Sequence, residues 1–202
     1  MSRSLAAACI PALFATAAWA VNPSPMNSPS VESAHHALPL EAIEPEAAEL
    51  QLGAPAPMFS FQGSDGWHRS EELVAHGAML LVFGASDTDL KGLERLRVAF
   101  DEVGIVPIAV MNLPTRRAAS TAKRLGLTRA LVCDPMSAIA SLYHSRETAS
   151  GRHVPAYFVI DTKRTLRSMY YGPLPSPELM LASAARGLGR PLPPSAFTSS
   201  DH

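Results

Sequence analysis

Cysteine is almost missing from this chain: Cys9 and Cys133 are the two present in 202 residues. That excludes a disulfide-stapled fold and a cysteine-rich zinc module, which both need more sulfur. A surplus of either charge is missing too. Seventeen Lys and Arg stand against 18 Asp and Glu, for a formal net charge of −1. With no basic excess to displace counterions, electrostatic capture of nucleic acid or anionic lipid is not the function class. No apolar run reaches the roughly 20 residues that a bilayer requires, and no internal repeat is visible. At roughly 100–200 residues per domain the length allows one domain with extensions. Apolar residues are ample for its core at 47%, whereas charged residues make a thin coat at 17%.

Proline is plentiful, 18 in all, and unevenly spread. The first twenty residues read as an export signal: Arg3 gives the positive start, Leu5 to Ala18 the apolar stretch, and Ala18-Trp19-Ala20 a small-x-small cleavage site. The expected mature chain starts at Val21, is periplasmic or secreted, keeps no stable membrane span, and has lost Cys9. Cys133 is then its only thiol. Residues 21–52, with Pro23, Pro25, Pro29, Pro39 and Pro45, cannot sustain a helix or a strand ladder and read as an extended tether. His35-His36 within it reads as plain linker. The Pro-Ser-rich end, 190–202, is expected to be a flexible tail.

Residues 53–189 alternate regularly. Met58–Gln62 reads as a strand and Gly63–Gly66 as a turn. Ser70 is expected to cap a helix running through His76, with Glu71 and Glu72 favourably placed at its positive end. Ala78–Phe83 is continuously apolar, the mark of a strand buried on both faces. Beyond a polar turn at Ser86–Asp89, Leu90, Leu93 and Phe100 recur at helical spacing up to Gly104. Ile105–Met111 is the next strand, and its Pro107 must lie where an N–H has no partner. Thr115 is expected to cap a helix striped by Ala118, Ala119, Ala122 and Leu125 and ended by Gly126.

Leu131–Cys133 is a short strand. Asp134 is expected to cap a helix opening at Pro135, with Ile139, Leu142 and Tyr143 facing inward. Ala156–Ile160 and Thr165–Tyr170 read as strands joined by a turn, and Ser176-Pro177 opens a last helix to about Leu188. The fold class is therefore α/β: a mostly parallel central sheet, helices on both faces, and a C-terminal antiparallel hairpin.

Four segments in this order resemble the thioredoxin-like superfamily, in its redoxin branch of alkyl hydroperoxide reductase and thiol-specific antioxidant (peroxiredoxin-like) proteins. Leu52 to Phe59 resembles the family's opening G-x-x-A-P-x-F. Leu80 to Ser86 resembles the core strand leading into the active-site turn. Cys133-Asp134-Pro135 with Ala140 and Tyr143 resembles D-P-x-x-x-x-A-x-x-Y. Val154 to Asp161 resembles the V-P-x-x-F-x-I-D strand, and the resemblance implies a cis peptide before Pro155.

The family's reactive sulfur follows the core strand at the amino end of the next helix, where unpaired N–H groups and the helix dipole stabilise a thiolate. Aligned on either the C-x-x-C or the peroxiredoxin pattern, those positions are Thr88 and Lys91. A threonine hydroxyl forms no disulfide and ionises far less readily than a thiol, and Asp87 and Asp89 would repel an anion.

Cys133 opens a helix at the same rim, but the adjacent Asp134 carboxylate opposes thiolate formation, so a structural thiol is expected. His153, two residues before Pro155, matches the spacing of a copper-binding His in thioredoxin-like copper chaperones of cytochrome oxidase assembly. The cysteine pair of those proteins is missing, so no metal is expected unless through His153. His144 and His68 offer no ligand spacing, and Trp67, Tyr170 and Tyr171 read as packing residues. The expectation is an exported redoxin-like module without standard thiol catalysis and without a cofactor. It would hold a polypeptide or thiol partner at Val154 and Pro155. The alternative is a thiol-dependent oxidoreductase acting through Cys133, and a weaker one is copper delivery through His153.

Overall fold

The computed structural model describes residues 49–62, 67–129 and 131–197. The expected export signal, most of the tether, the 63–66 turn and the last five residues lie outside them. In chain order the elements are β1 (Ser60–Gln62), β2 (Trp67–Arg69), α1 (Ser70–Ala75), β3 (Ala78–Phe83), α2 (Asp87–Arg95) and α3 (Arg97–Val103). There follow β4 (Ile105–Met111), α4 (Thr115–Leu125), β5 (Val132–Cys133), α5 (Ala138–Leu142), β6 (Ala156–Ile160), β7 (Leu166–Tyr171) and α6 (Pro177–Gly187). Five strands form one sheet in the order β5-β4-β3-β6-β7. β3, β4 and β5 are mutually parallel, and the β6–β7 hairpin adds to β3 antiparallel. The α/β architecture is as expected.

Every residue of β3 is fully buried, which is why its sequence is apolar without alternation. Ala78, Leu80 and Val82 face the side covered by α2, α3 and α6, while Met79, Leu81 and Phe83 face the side holding α5 and β1. Each such side chain contributes roughly 1.5–3 kcal/mol relative to exposure. Pro107 sits in β4 beside Leu80, whereas β5 pairs only with Val110 and Met111. On the side away from β3, Pro107 therefore has no ladder partner in β5.

Several boundaries differ from expectation. Met58–Gln62 is part of a hairpin whose second strand, β2, was not anticipated; β1 and β2 form a separate antiparallel pair. Ser70 is the first helical residue, not the cap. Its hydroxyl is buried and accepts the Phe59 N–H at 2.9 Å, tying α1 to the hairpin. The long helix expected from Leu90 to Gly104 is broken at Leu96, which caps one helix and opens the next. Pro114, not Thr115, precedes α4. Leu142 is exposed, whereas Ile139 and Tyr143 are buried as expected. Trp67, expected to be a packing residue, stands 74% exposed. Tyr170 and Tyr171 do pack: one stacks on Tyr157 at 5.3 Å and the other lies edge-on to Phe158 at 5.4 Å. Part of the expected flexible tail is anchored, because Arg190 donates to the carbonyls of Val103 (2.5 Å) and Gly104 (3.0 Å).

Candidate active-site rim

The carboxyl ends of β3 and β4 define the rim where the resemblance places function. Beyond Phe83 the chain turns sharply at Gly84, which has φ +66°. A Cβ there would lie 3.0 Å from both Cα and N of Pro155, so glycine is required for space as well as conformation. Ser86 then caps α2. Its hydroxyl accepts the Asp89 N–H at 3.3 Å, and Asp89 Oδ2 accepts the Ser86 N–H at 2.8 Å. This reciprocal box occupies donors that an anion would otherwise use.

Asp87 pairs with Arg124, from the end of α4, at 2.7 Å. The Arg124 hydrogen bond holds the Asp87 carboxyl below its ordinary value. Thr88 and Lys91 are exposed on this helix. The start of α2 therefore carries an oxygen, an ammonium group, and two carboxylates in its first turn. It offers an anion little.

Cys133 does not complete this rim. It is half-buried at the end of the edge strand β5, where its Sγ approaches the Leu131 carbonyl at 3.9 Å. It packs with the helix-covered side of the core. The surface depression it lines, about 240 Å³, is walled by α4 through Thr115, Ala118 and Ala122, by Gln62, and by its own run-in strand. No residue of 84–91 is among the walls.

The second loop of the rim, 134–155, is organised by a buried polar cluster. Asp134 does cap α5, but from four residues upstream. The chain first turns through Ser137, which has φ +55°, and the Asp134 carboxylate accepts the Ala140 N–H at 2.9 Å. Burial pushes its pKa up, but the adjacent His153 ring and hydrogen bonds from the Ala140 and Ile139 N–H groups outweigh this and hold it below the ordinary value. His153 is not the partly exposed loop residue that was expected. Its side chain is 4% exposed, with Nε2 3.3 Å from Asp134 Oδ2 and Nδ1 3.3 Å from the Val110 carbonyl. The ring stands edge-on to Phe83 at 5.7 Å.

Nδ1 thus faces the Val110 carbonyl, while Nε2 lies buried against Asp134 without a hydrogen-bond partner among the described residues, so the ring is walled off inside the loop. Among the described residues no three His, Cys, Asp or Glu side chains gather as metal ligands. Pro155 is reached through a trans peptide, contrary to the expected cis form. Val154 is held extended, its N–H donating to Ser145 O at 2.7 Å, and a trans bond carries this extended strand entry directly into β6.

The family model described as AhpC/TSA matches residues 52–169, more than half of the sequence. The chain belongs to the AhpC/TSA family. Among solved structures, this AhpC/TSA chain is similar to peroxidoxin BcpB from Mycobacterium tuberculosis (TM-score 0.58, 19% identity, 76% of this chain and 100% of that one). It is also similar to a yeast mitochondrial 1-Cys peroxiredoxin (0.57, 16%, 69% and 78%). A third is a putative thiol:disulfide interchange protein DsbE from Chlorobium tepidum (0.58, 19%, 70% and 100%). At these identities the likeness shows the shared fold. No curated protein matches by sequence.

Sequence reasoning missed the Asp134–His153 pair and its neighbours Asn112 and Ser137. Asn112 Nδ2 donates to Ser137 Oγ at 2.7 Å and to Gly151 O at 3.0 Å. The usable signal was a histidine shortly before an apolar strand together with an Asp-Pro turn, because a buried His needs an acceptor.

Proposed function

We propose that this AhpC/TSA-family domain acts after export as a binding or accessory module and does not run standard thiol chemistry. The observation that carries the reading is the start of α2. Lys91 and Thr88 stand where the family pattern puts sulfur, and the Ser86–Asp89 box takes up two of the helix-end donors, the Ser86 and Asp89 N–H groups. Cys133 sits beneath α4 on the edge strand and shares its depression with no residue of that turn. The surface left for a polypeptide or thiol-bearing partner is where exposed Gly84 meets half-buried Val154 and Pro155. There the two backbones approach closely without a side chain between them. Export rests on Arg3, the apolar run to Ala18, and the Ala18-Trp19-Ala20 site.

Peroxide consumption and insulin reduction, each measured with a supplied thiol reductant, test this. The expected result is no turnover above the protein-free rate, and no change in Cys133→Ser. Turnover abolished by that substitution would establish the oxidoreductase alternative.

A further inference from the structure

Three features that the rim does not use meet on one side of the domain. The first is the depression of about 240 Å³ between α4 and the β1–β2 hairpin. Its walls are largely apolar, with Ala118, Ala122, Leu127, Leu131 and Cys133 among them, and they include no carboxylate. A cavity of about 150 Å³ takes a benzene ring, so this depression has room for an aromatic or branched side chain.

The second is Trp67. It is the direct partner of Gln62 in the hairpin, so the two side chains leave the same face as neighbours. Gln62 lines the depression, which sets the 74% exposed Trp67 next to it. An indole left in water contributes little to folding, whereas such rings are enriched at the centres of interfaces.

The third is the charge of α4, which holds four cations and no acid. Arg116 and Arg117 stand in its first turn, where the helix dipole disfavours positive charge. Of the four, Arg124 alone is ion-paired among the described residues, to Asp87. Arg116 and Lys123 are exposed and lie three residues before and four after Ala119, which lines the depression. Those spacings are adjacent on a helix surface, so the two cations edge the depression about 10 Å apart. Neither is neutralised by Glu72, which is turned to His68, or by Asp101, which is turned to Arg129.

We propose that this surface docks an extended acidic segment of a partner polypeptide that carries one large apolar side chain. That side chain fills the depression beside Trp67. Carboxylates three residues apart then reach Arg116 and Lys123, since an extended chain rises about 3.3 Å per residue. Two unpaired cations on a chain of net charge −1 are too few to hold a nucleic-acid backbone. No residue of 84–91 or 153–155 walls the depression, so the surface is separate from the Gly84–Pro155 contact. It goes beyond the binding-module reading and stands whether or not Cys133 reacts.

A fluorescein-labelled peptide, Glu-Glu-Glu-Phe-Glu-Glu-Glu, tests this on the full chain. Anisotropy reports binding, and peptide mass spectrometry reports the rate at which iodoacetamide alkylates Cys133. Binding is expected, with Cys133 alkylation slowed several-fold at saturation because the phenyl ring covers the thiol. Ser for Phe in the peptide, or Trp67→Ala in the protein, should each weaken binding about tenfold or more. Arg116→Glu with Lys123→Glu should weaken it about tenfold. Arg146→Glu with Lys163→Glu, equal in net charge, should leave it unchanged. All of these protein side chains are exposed, so no substitution threatens the fold. No binding, binding without protection of Cys133, or equal weakening by the two double variants overturns the proposal. So does tighter binding of single-stranded DNA or phosphatidylglycerol vesicles, which would assign the surface to another class of anion.

Discussion

Tyr143→Ala is expected to remove about 3–5 kcal/mol from the stability of the domain, a large part of the roughly 5–15 kcal/mol typical of such folds. Tyr143 is fully buried at the end of α5. Its ring lies 4.9 Å from Phe158, 5.7 Å from Phe83 and 6.3 Å from Phe59, and its hydroxyl donates to the Pro57 carbonyl at 2.6 Å. One side chain thus joins the central sheet, the short helix and the chain entering β1. Burial pushes its phenol well above the ordinary value, so the ring stays neutral through the working range.

Truncation leaves a cavity among rings that cannot collapse together, because Phe83 and Phe158 are fixed in β3 and β6. Urea unfolding followed by fluorescence measures the loss. Tyr143→Phe, which deletes only the hydroxyl, should cost about 1 kcal/mol. A loss below about 2 kcal/mol for the alanine variant would show that the cluster is not the centre of this face of the core.

Gly84→Val is the second large effect. A left-handed conformation costs a side-chain-bearing residue roughly 1–2 kcal/mol, and here the added Cβ also strikes the Pro155 backbone at 3.0 Å. A total of about 2–4 kcal/mol is expected, within the usual range for combined strain and overpacking. Gly126→Val isolates the two contributions: Gly126 has φ +67° with nothing within 4 Å of its added Cβ. It should lose the conformational part alone. The excess at Gly84 reports the contact with Pro155, and the Ala156 amide resonance should move in that variant and not at Gly126. Equal losses at the two sites would mean that the rim yields to accommodate the side chain.

The fold was legible wherever burial is expressed along the chain. β3, β4 and the caps at Gly104 and Gly126 are where the apolar runs and glycines put them, because a doubly covered strand must be apolar throughout and a left-handed cap favours glycine. The rim was only half legible. The Ser86–Asp89 turn could be recognised as polar, and its capping box follows from local spacing. The pairing of Asp134 with His153 could not be read, since those residues are nineteen positions apart and meet only because β4, the Ser137 turn and the loop through Gly151 converge. Local rules likewise opened α5 at Pro135, directly after an Asp134 cap, whereas the helix starts at Ala138 and the carboxylate acts across a left-handed turn. The trans geometry at Pro155 was missed because the expectation came from relatives that carry a cysteine pair, which this chain lacks.

The central claim is that no poised sulfur nucleophile exists in this domain, and the alkylation rate of Cys133 in the native full-length protein tests it most directly. Peptide mass spectrometry separates its adduct from that of Cys9. The predicted result is a native rate no faster than that of the same residue in the unfolded chain, across pH 6–8. A native rate well above the unfolded one, persisting at pH 6 where an ordinary thiol is silent, would contradict the account.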